Sequence, residues 1–425
     1  MVTGSLARAS AVAALGLGLG LVFGDPVVVV LVAPFLPLAA LGLVLKPRSA
    51  PVIGARLDHA FLHEGQGTRN RLVVDDLSGA EHVTRIAVTV PHVAMHPAHG
   101  RLGGLVSGPE DLPVVEVSPR RWGRRVLGEE QVALTSAWAG YRWGPVLMTG
   151  DQMRVLPQTA AYDSRAEAPQ PLGLVGAHRS RRLGGGSEFA GIRGFQSGDR
   201  MRRINWRVSL RTGSLHVVTA RAEEDAGVLL VVDALADHGR SGGLDGADSS
   251  MDITVRAAAA LAEHHAHQGD RVGLRVVGPA GETVGFGSGR RHLRMLLGRL
   301  AGLQVGDLRH GADLSFRATA GTVVMVLSPM LSPEVGTATA TLVRRGLPVM
   351  VIDTLPPGAA PAVMEGTDDD VADLAWRMRR LERDEVLARL ASMGCPVVAW
   401  RGPGTVDDVM RRLARRAQLP QVRVR

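Results

Sequence analysis

Cysteine, lysine and aromatic residues are scarce in this chain of 425 residues. Its only cysteine is Cys395, which excludes an intramolecular disulfide, a zinc site built from cysteines and a CxxC redox motif, and which fits a reducing compartment. Its only lysine is Lys46, so the net charge of +8 is carried by arginine. Aromatic residues make up 4% of the chain, too few to favour a surface on which bases stack. With 45% hydrophobic residues, the chain is long enough for two or three domains with buried cores.

Charged residues are nearly absent near the N-terminus, where Asp25 is the only ionisable side chain from residue 9 to residue 45. Two apolar stretches, 9–23 and 27–45, flank Gly24-Asp25-Pro26, and this triplet favours a tight turn. The second stretch has 19 residues, enough for a helix to cross about 30 Å of hydrocarbon. Residues 1–50 are therefore predicted to form a two-helix transmembrane hairpin.

Basic residues lie on both sides of this hairpin, with Arg8 before it and Lys46 and Arg48 after it. The positive-inside rule then predicts a multi-pass protein of the cell membrane whose N- and C-termini are cytoplasmic. A signal peptide is the first alternative, but no small-x-small cleavage site with a polar mature start precedes the second stretch. A buried hairpin of a soluble protein is the second alternative.

The sequence pattern of residues 51–160 predicts a small all-β, sandwich-like domain. Short runs with β-branched residues are separated by glycine and proline, and none of them keeps a 3.6-residue period. The predicted strands lie at 70–74, 82–90, 114–117, 131–135 and 152–156.

Residues 226–425 have a different pattern. The continuous apolar run 228–232 ends at Asp233 and is typical of a strand buried on both faces. Further strands are predicted at 271–277, 322–327, 348–353 and 396–400, alternating with helices at 252–268, 290–303, 332–345, 368–393 and 406–417. This alternation predicts a doubly wound α/β sheet, in which ligands usually bind at the carboxyl ends of the strands.

Residues 161–225 comprise a connector rich in proline and alanine, followed by an arginine-rich segment. From His178 to Arg211 the segment has nine arginines and two acidic residues. Such a segment can contact phosphate or nucleic acid, bind anionic lipid, or form internal arginine–carboxylate bonds. A solvated charged face is the simplest alternative. The run Gly184-Gly185-Gly186-Ser187 is not a Walker loop, because no Gly-Lys-Ser/Thr follows it.

Three motifs in this segment carry a resemblance to a known family. They are Gly186-Ser-Glu-Phe-Ala-Gly-Ile-Arg193, Gly198-Asp-Arg-Met-Arg-Arg-Ile-Asn-Trp-Arg-Val-Ser-Leu-Arg211 and Leu215-His-Val217. Together they resemble the signature of the family called domain of unknown function 58, in its actinobacterial form. The layout of the chain is also similar, with two N-terminal spans, a β-rich domain and an α/β domain.

The resemblance implies a von Willebrand factor type A-like C-terminal domain and association with a MoxR-type AAA+ ATPase. Glu188 and Asp199 are expected to pair with arginines such as Arg193 and Arg203. The candidate interaction residues of the signature are Arg179, Arg181, Arg182, Glu188, Phe189, Arg193, Gly198, Asp199, Arg200, Arg203, Trp206, Arg207 and Arg211. The first three arginines are expected to remain available to an acidic partner or a phosphate.

A type A-like domain also implies a metal site, with Asp-x-Ser-x-Ser after the first strand and an aspartate on a later loop. These hard oxygen ligands suit Mg²⁺. In this chain Leu235 and Asp237 replace the two serines, and Pro329 stands where the later aspartate is expected. No cofactor is expected, and Asp233 and Asp237 are the one oxygen pair to test for Mg²⁺.

Other candidate sites have structural interpretations. His264, His265 and His267 lie on a predicted helix, and His264 and His267 share a face. The HExxH spacing is absent, and solvated histidines are expected at all three positions. Ser187, Ser209 and Cys395 lack the setting of a nucleophile elbow. Acidic residues 368–370 are expected to cap a helix.

Because no catalytic constellation is recognisable, the sequence predicts a non-enzymatic protein. The leading expectation is a membrane-anchored cytoplasmic interaction or scaffold protein, a partner or adaptor of a MoxR-type AAA+ ATPase. One alternative is a metal-dependent ligand-binding type A module. The other is a binder of anionic lipid or nucleic acid through the arginine-rich segment, although no specific nucleic acid is expected as a partner.

Overall fold

The computed structural model describes residues 1–46, 49–77, 79–136, 139–158, 179–196, 199, 201–223, 227–308, 314, 316, 318, 322–359, 368–402 and 404–405. It divides into two compact units, Met1–Pro157 with Gly243–Asp245 and Gln158–Gly242 with Gly246–Arg425. Most of the connector and the helix predicted at 406–417 lie outside the described residues.

Three apolar helices open the first unit: α1 (Gly4–Phe23), α2 (Pro26–Val32) and α3 (Phe35–Val44). The predicted turn is confirmed, because α1 ends at Gly24 with a φ of 67° and the Asp25 carboxylate caps α2. The second apolar stretch was predicted as one helix, and this is wrong, since α2 and α3 are bent by 55°. The break falls at Pro34, which has no N–H to continue the helical hydrogen bonds.

Glycines allow α1 to pack closely against α2. A Cβ atom at Gly16 would lie 2.2 Å from Val32 Cγ1, and one at Gly20 would lie 2.6 Å from a methyl group of Val29. Small residues of this kind permit close approach of apolar helices. By length and composition α1 qualifies as a membrane span, and α2 with α3 would be a second one if the bent pair counts as one span.

Eleven described strands form the β-rich region that the sequence predicts. They are β1 (Ile53–Leu57), β2 (Phe61–His63), β3 (Thr68–Val74), β4 (Ala80–Ala87), β5 (Val93–His96), β6 (Arg101–Leu105), β7 (Val115–Pro119), β8 (Gly123–Val126), β9 (Glu130–Ser136), β10 (Arg142–Met148) and β11 (Gln152–Leu156). They form sheets of order β1-β3-β7-β5, β10-β9-β4-β6 and β2-β11-β8. Only the β2–β11 pair is parallel among these described strands. The strand predicted at 82–90 is too long, because β4 ends at Ala87.

A buried ion pair lies inside this region. The Arg85 side chain is fully buried, and its Nε and Nη2 atoms donate to Glu130 Oε2 at 3.0 and 2.7 Å. Asn70 Nδ2 donates to the other Glu130 oxygen at 2.7 Å, and Arg85 Nη1 donates to the carbonyls of Asn70 and Pro113. Several hydrogen bonds thus compensate the desolvation of both charges.

The arginine-rich segment forms a β-ribbon with a short helix. Its elements are β12 (Arg179–Gly194), α4 (Trp206–Thr212) and β13 (His216–Glu223). β12 and β13 are antiparallel and regular from Gly191 to Gly194, whereas the pairing shifts between Arg179 and Gly191. The longer strand is accommodated by these irregularities.

The rest of the second unit contains a six-stranded mixed sheet. Its elements are β14 (Gly227–Asp233), α5 (Ser250–His267), β15 (Arg271–Val277), β16 (Thr283–Gly287), α6 (Gly289–Leu300), β17 (Val323–Ser328), α7 (Pro333–Arg344), β18 (Val349–Asp353), α8 (Asp369–Ser392) and β19 (Val397–Ala399). The order is β16-β15-β14-β17-β18-β19, with only β16 antiparallel to its neighbour among the described pairs. The α/β alternation is confirmed, whereas the edge strand β16 was not predicted.

Candidate functional site

The signature segment is held together by an ion pair. Arg193 donates from Nη1 and Nη2 to the two carboxylate oxygens of Asp199, at 2.7 and 2.8 Å. The Gln196 backbone N–H donates to the same carboxylate at 2.9 Å. The pKa of Asp199 is lowered mainly by the Arg193 hydrogen bonds, then by that of Gln196, with a smaller contribution from the Arg203 charge. The expected pairing of Asp199 with Arg193 is therefore present.

Asn205 and Ser209 attach α4 to the backbone of β13. Asn205 caps the helix by accepting from the Val208 N–H at 3.2 Å, and its own N–H donates to the His216 carbonyl at 2.8 Å. The buried Ser209 hydroxyl donates to the Asn205 carbonyl at 2.8 Å and accepts from the His216 N–H at 2.9 Å. Ser209 is thus a structural residue rather than an exposed nucleophile.

The opposite side of α4 and the turn before it are exposed. Trp206 is 62% exposed, Leu210 82% and Met201 77%. Large exposed apolar side chains that lie together on a soluble surface usually mark an interaction site. Three arginines accompany them, and the whole set, which we call the signature face, consists of Met201, Arg202, Trp206, Arg207, Leu210 and Arg211.

The other predicted signature residues divide into three groups. Arg203 is partly exposed and has an interaction partner. Gly198 and Arg200 lie outside the described residues, and Arg179, Arg181, Arg182, Glu188 and Phe189 lie on β12 with side chains that are also outside them. The expected pairing of Glu188 consequently stays a prediction.

Asp233 lies at the carboxyl end of the central strand β14 and is 2% exposed. Its Oδ2 accepts from the Ser328 hydroxyl at 2.6 Å, and its Oδ1 accepts from the Leu235 N–H at 3.1 Å. Burial raises the pKa of the Asp233 carboxyl, while these two hydrogen bonds oppose the shift. The carboxyl group joins the ends of the neighbouring strands β14 and β17.

Asp237 organises the start of α5. Its carboxylate accepts from the hydroxyls of Ser249 and Ser250 at 3.0 and 3.3 Å and from the Met251 N–H at 3.0 Å. Ser249 also caps α5, with its side chain bonded to the Asp252 N–H. The second candidate metal ligand therefore contributes to the loop that begins α5.

At Pro329, where the implied metal site would have its later aspartate, the backbone carbonyl binds an arginine side chain. The buried Arg383 donates from Nε to the Pro329 carbonyl at 2.7 Å, and its Nη2 lies 2.5 Å from Asp353 Oδ2. No group of three histidine, cysteine or acidic side chains suitable for a metal occurs among the residues that were described. Leu235 and Pro329 have no side-chain oxygen, and the Asp237 carboxylate is bonded to Ser249 and Ser250, so these side chains do not fit the implied type A metal site.

Part of the chain that includes most of the arginine-rich signature segment matches a known protein family. Residues 191–372 match the model of the family described as protein of unknown function DUF58. The chain carries a DUF58 region. This confirms the resemblance, and the matched range includes Asp199, α4, the six-stranded sheet up to β18 and the start of α8.

Two mycobacterial proteins are similar to this chain. The uncharacterized proteins Rv1480 of Mycobacterium tuberculosis and Mb1516 of Mycobacterium bovis are each 29% identical to it over 187 residues. The match covers 43% of this chain and 52% of each relative, so the chain spans about half the length of the curated relatives that it matches.

Two features of the DUF58 region differ from what the sequence predicts. His265 is buried, with Nδ1 2.7 Å from Asp270 Oδ2, so the expectation of solvated histidines on α5 is wrong at this position. Met201, Arg202 and Leu210 belong to the signature face but were not among the predicted site residues. The four-residue spacing of Trp206 and Leu210, repeated by Arg207 and Arg211, was the available signal.

Proposed function

We propose that this protein is a membrane-anchored cytoplasmic interaction or scaffold protein, and that it is a partner or adaptor of a MoxR-type AAA+ ATPase. The observation that carries the proposal is the signature face. Its six side chains are exposed, whereas Asp199, Asn205 and Ser209 of the same segment make internal hydrogen bonds. The segment thus separates residues that build the fold from residues that can meet a partner.

The composition of the signature face suits a protein partner with acidic side chains. Tryptophan and arginine are the residues that most often contribute large binding energies at protein interfaces. Arg207 and Arg211 are four residues apart on one helix face, next to Trp206 and Leu210, which are spaced in the same way. Arginine forks can bind carboxylates with two hydrogen bonds each, while the apolar pair supplies buried area.

The membrane part of the proposal is a two-span hairpin with both termini in the cytoplasm. Leu15, Leu21 and Phe23 of α1 are exposed. Exposed apolar side chains along a helix of 20 residues are unfavourable in water and favourable in lipid. A hairpin also agrees with the approach of Gly16 to Val32 and of Gly20 to Val29.

The finer fold assignments belong to the same proposal. A type A-like fold for the six-stranded sheet is supported by its doubly wound strand order and by Asp233 at the end of β14. A sandwich-like fold for the β-rich region is supported by its two four-stranded sheets.

The experiment is chemical crosslinking in native membranes, followed by identification of the captured proteins. The test variant combines Trp206→Ala, Arg207→Ala, Leu210→Ala and Arg211→Ala. The matched control combines Arg290→Ala, Arg291→Ala and Met295→Ala on α6, where the side chains are exposed as well. We expect the wild type to capture a MoxR-type ATPase and the test variant to capture about tenfold less, because interface arginine and tryptophan residues dominate binding.

Three results would contradict the proposal. They are the absence of the ATPase from a controlled wild-type capture, its full retention by the test variant, and its equal loss from the control variant.

The three arginines of the signature face also favour a second function, binding of anionic lipid or nucleic acid. Such binding falls steeply with salt because counterions are released from the polyanion. Detergent-solubilised full chain would bind a DNA duplex, or vesicles containing phosphatidylserine, at 50 mM salt and lose that binding at 300 mM. A metal-dependent module is less well supported, since Asp233 and Asp237 both accept hydrogen bonds from neighbouring side chains.

A further inference from the structure

The helix α8 has an apolar stripe that faces away from the rest of its unit. Val371, Leu374, Met378 and Leu381 are 58%, 60%, 57% and 70% exposed. Their spacing of three, four and three residues is the a/d spacing of a coiled coil, with Val371 and Met378 at a and Leu374 and Leu381 at d. The stripe therefore has the pattern of a helix that pairs with another helix.

The other side of α8 packs on its own unit. The Trp376 ring lies 5.8 Å from the His238 ring, and Arg379 Nη2 donates to the Leu331 carbonyl at 3.2 Å. Farther along, Arg383 binds Asp353 and Leu390 is buried. Since the helix is held by this face, the apolar stripe is not needed for its packing.

The charges beside the stripe identify its partner. Arg377 occupies position g of the first heptad and Glu382 occupies position e of the second, and both are exposed. In a parallel pair, a g residue faces the e residue of the following heptad in the other helix, five positions later. Two copies of α8 would thus place Arg377 of each chain beside Glu382 of the other.

The antiparallel arrangement lacks this match. There g residues face g residues, and pairing about the centre of the stripe would bring the two Arg377 side chains together. Like charges at these positions disfavour the pairing. The charge pattern consequently selects a second copy of this chain, in parallel.

We infer that α8 is a homodimerisation surface, and that two chains pair through a short parallel coiled coil over residues 371–382. The paired apolar stripes would contribute only two layers of a residues and two layers of d residues. The pairing is therefore weak between free molecules. Confinement of both chains to one membrane would raise their effective concentration and strengthen it. The pairing of α8 requires neither the signature face nor an ATPase partner, and only its strengthening by the membrane rests on the proposed anchor.

Disulfide crosslinking of the full chain in membranes tests the inference. The native Cys395 is buried and provides a low background. Met378→Cys and Leu374→Cys, at a and d, are each expected to form a disulfide-linked dimer upon mild oxidation. Arg380→Cys is the matched control, because it is exposed on the same helix at position c, away from the stripe.

A charge exchange then tests the pairing of Arg377 with Glu382. In the Met378→Cys background, Arg377→Glu or Glu382→Arg alone should reduce the dimer by about fivefold, because two attractive pairs become repulsive. The double exchange should restore it, and coexpression of the two single variants should produce a mixed dimer. This restoration cannot result from a loss of folding.

Several outcomes would overturn the inference. Equal crosslinking of Arg380→Cys, or no crosslinking at positions 374 and 378, would exclude the seam. A disulfide that forms only when Leu374→Cys and Met378→Cys chains are mixed would exclude the parallel arrangement. Failure of the double exchange to restore the dimer would exclude the Arg377–Glu382 pairing.

Discussion

At the scale of single residues, Asp233 shows how burial and hydrogen bonding oppose each other. Burial raises the pKa of its carboxyl, and the Ser328 and Leu235 donors reduce this rise. Between the ordinary value of about 3.9 and the raised value, the folded state binds more protons than the unfolded state. The free energy of unfolding therefore decreases as pH rises through this window, and the full penalty is present above it.

Asp233→Asn should remove this penalty. The amide oxygen can still accept from the Leu235 N–H, and the amide NH2 can donate to the Ser328 hydroxyl oxygen in place of the bond that the carboxylate accepted. Above this window we expect the variant to be as stable as the wild type, or more stable by about 1 kcal/mol. Its advantage should shrink as the pH falls through the window. Hydrogen exchange of the β14 amides, compared between variant and wild type at each pH, measures the difference.

Asp233→Ala is the control for that experiment, since it leaves the Ser328 hydroxyl and the Leu235 N–H without their acceptor. We expect it to be less stable than the wild type by about 2 kcal/mol. A loss of the same size in Asp233→Asn at pH 7 would show that the negative charge is required, as it would be for binding a cation.

Arg85 illustrates what a strand pattern does not reveal. Along β4 the sequence reads Arg85-Ile86-Ala87, and polarity would place Ile86 inside and Arg85 outside. In the structure Arg85 is fully buried and Ile86 is exposed. The partners that make this possible, Glu130 and the carbonyls of Asn70 and Pro113, come from distant parts of the chain. Their positions depend on tertiary structure and could not be read from local alternation.

At the scale of elements, the α/β helices and the central strands were predictable because their patterns are long and distinct. The run ending at Asp233 is apolar throughout and became β14, while β15 has the predicted bounds. β16 was missed, since its five residues include Gly285 and Gly287 and its stability comes from pairing with β15. The bend at Pro34 has a local cause and should have been predicted.

The signature face was only partly predictable for a similar reason. The spacing of Trp206 and Leu210 shows that they share a side of α4, but not which side faces outward. The bonds of Asn205 and Ser209 to His216 decide that, and they depend on the position of β13.

Ser209→Ala should loosen the attachment of α4 to β13. It removes a buried donor to the Asn205 carbonyl and the acceptor of the His216 N–H, at a cost of about 1–2 kcal/mol. We expect faster hydrogen exchange across residues 205–217 with little change in β14. The measurement is peptide-level exchange followed by mass spectrometry.

Thr212→Ala is the matched control on the same helix. The Thr212 hydroxyl also bonds to the carbonyls of Val208 and Ser214 and lies 3.1 Å from His216 Nδ1, but the side chain is exposed and water can replace these bonds. Its effect should stay below about 0.5 kcal/mol. Equal effects of the two substitutions would contradict the role assigned to Ser209.

At the scale of the whole molecule, the chain combines an apolar N-terminal end with arginine concentrated in one segment. The first unit joins its helices to its β-rich region by specific bonds, since the Tyr141 hydroxyl donates to the Gly42 carbonyl at 2.8 Å and the Thr3 N–H donates to the Gly140 carbonyl at 3.0 Å. If α1 and the α2–α3 pair both cross the membrane, these bonds keep the β-rich region next to the cytoplasmic ends of the helices.

Labelling with a membrane-impermeable maleimide tests this topology. Asp25→Cys places a thiol at the turn between α1 and α2, and Ser392→Cys places one at the exposed end of α8. Because Arg8 and Lys46 favour the cytoplasm, we expect labelling at position 25 in right-side-out vesicles and at position 392 only in inside-out vesicles. The wild type, with its buried Cys395, reports the background. If position 392 were labelled in right-side-out vesicles, only one segment would span the membrane. If position 25 were protected in those vesicles, the turn would not reach the outer face.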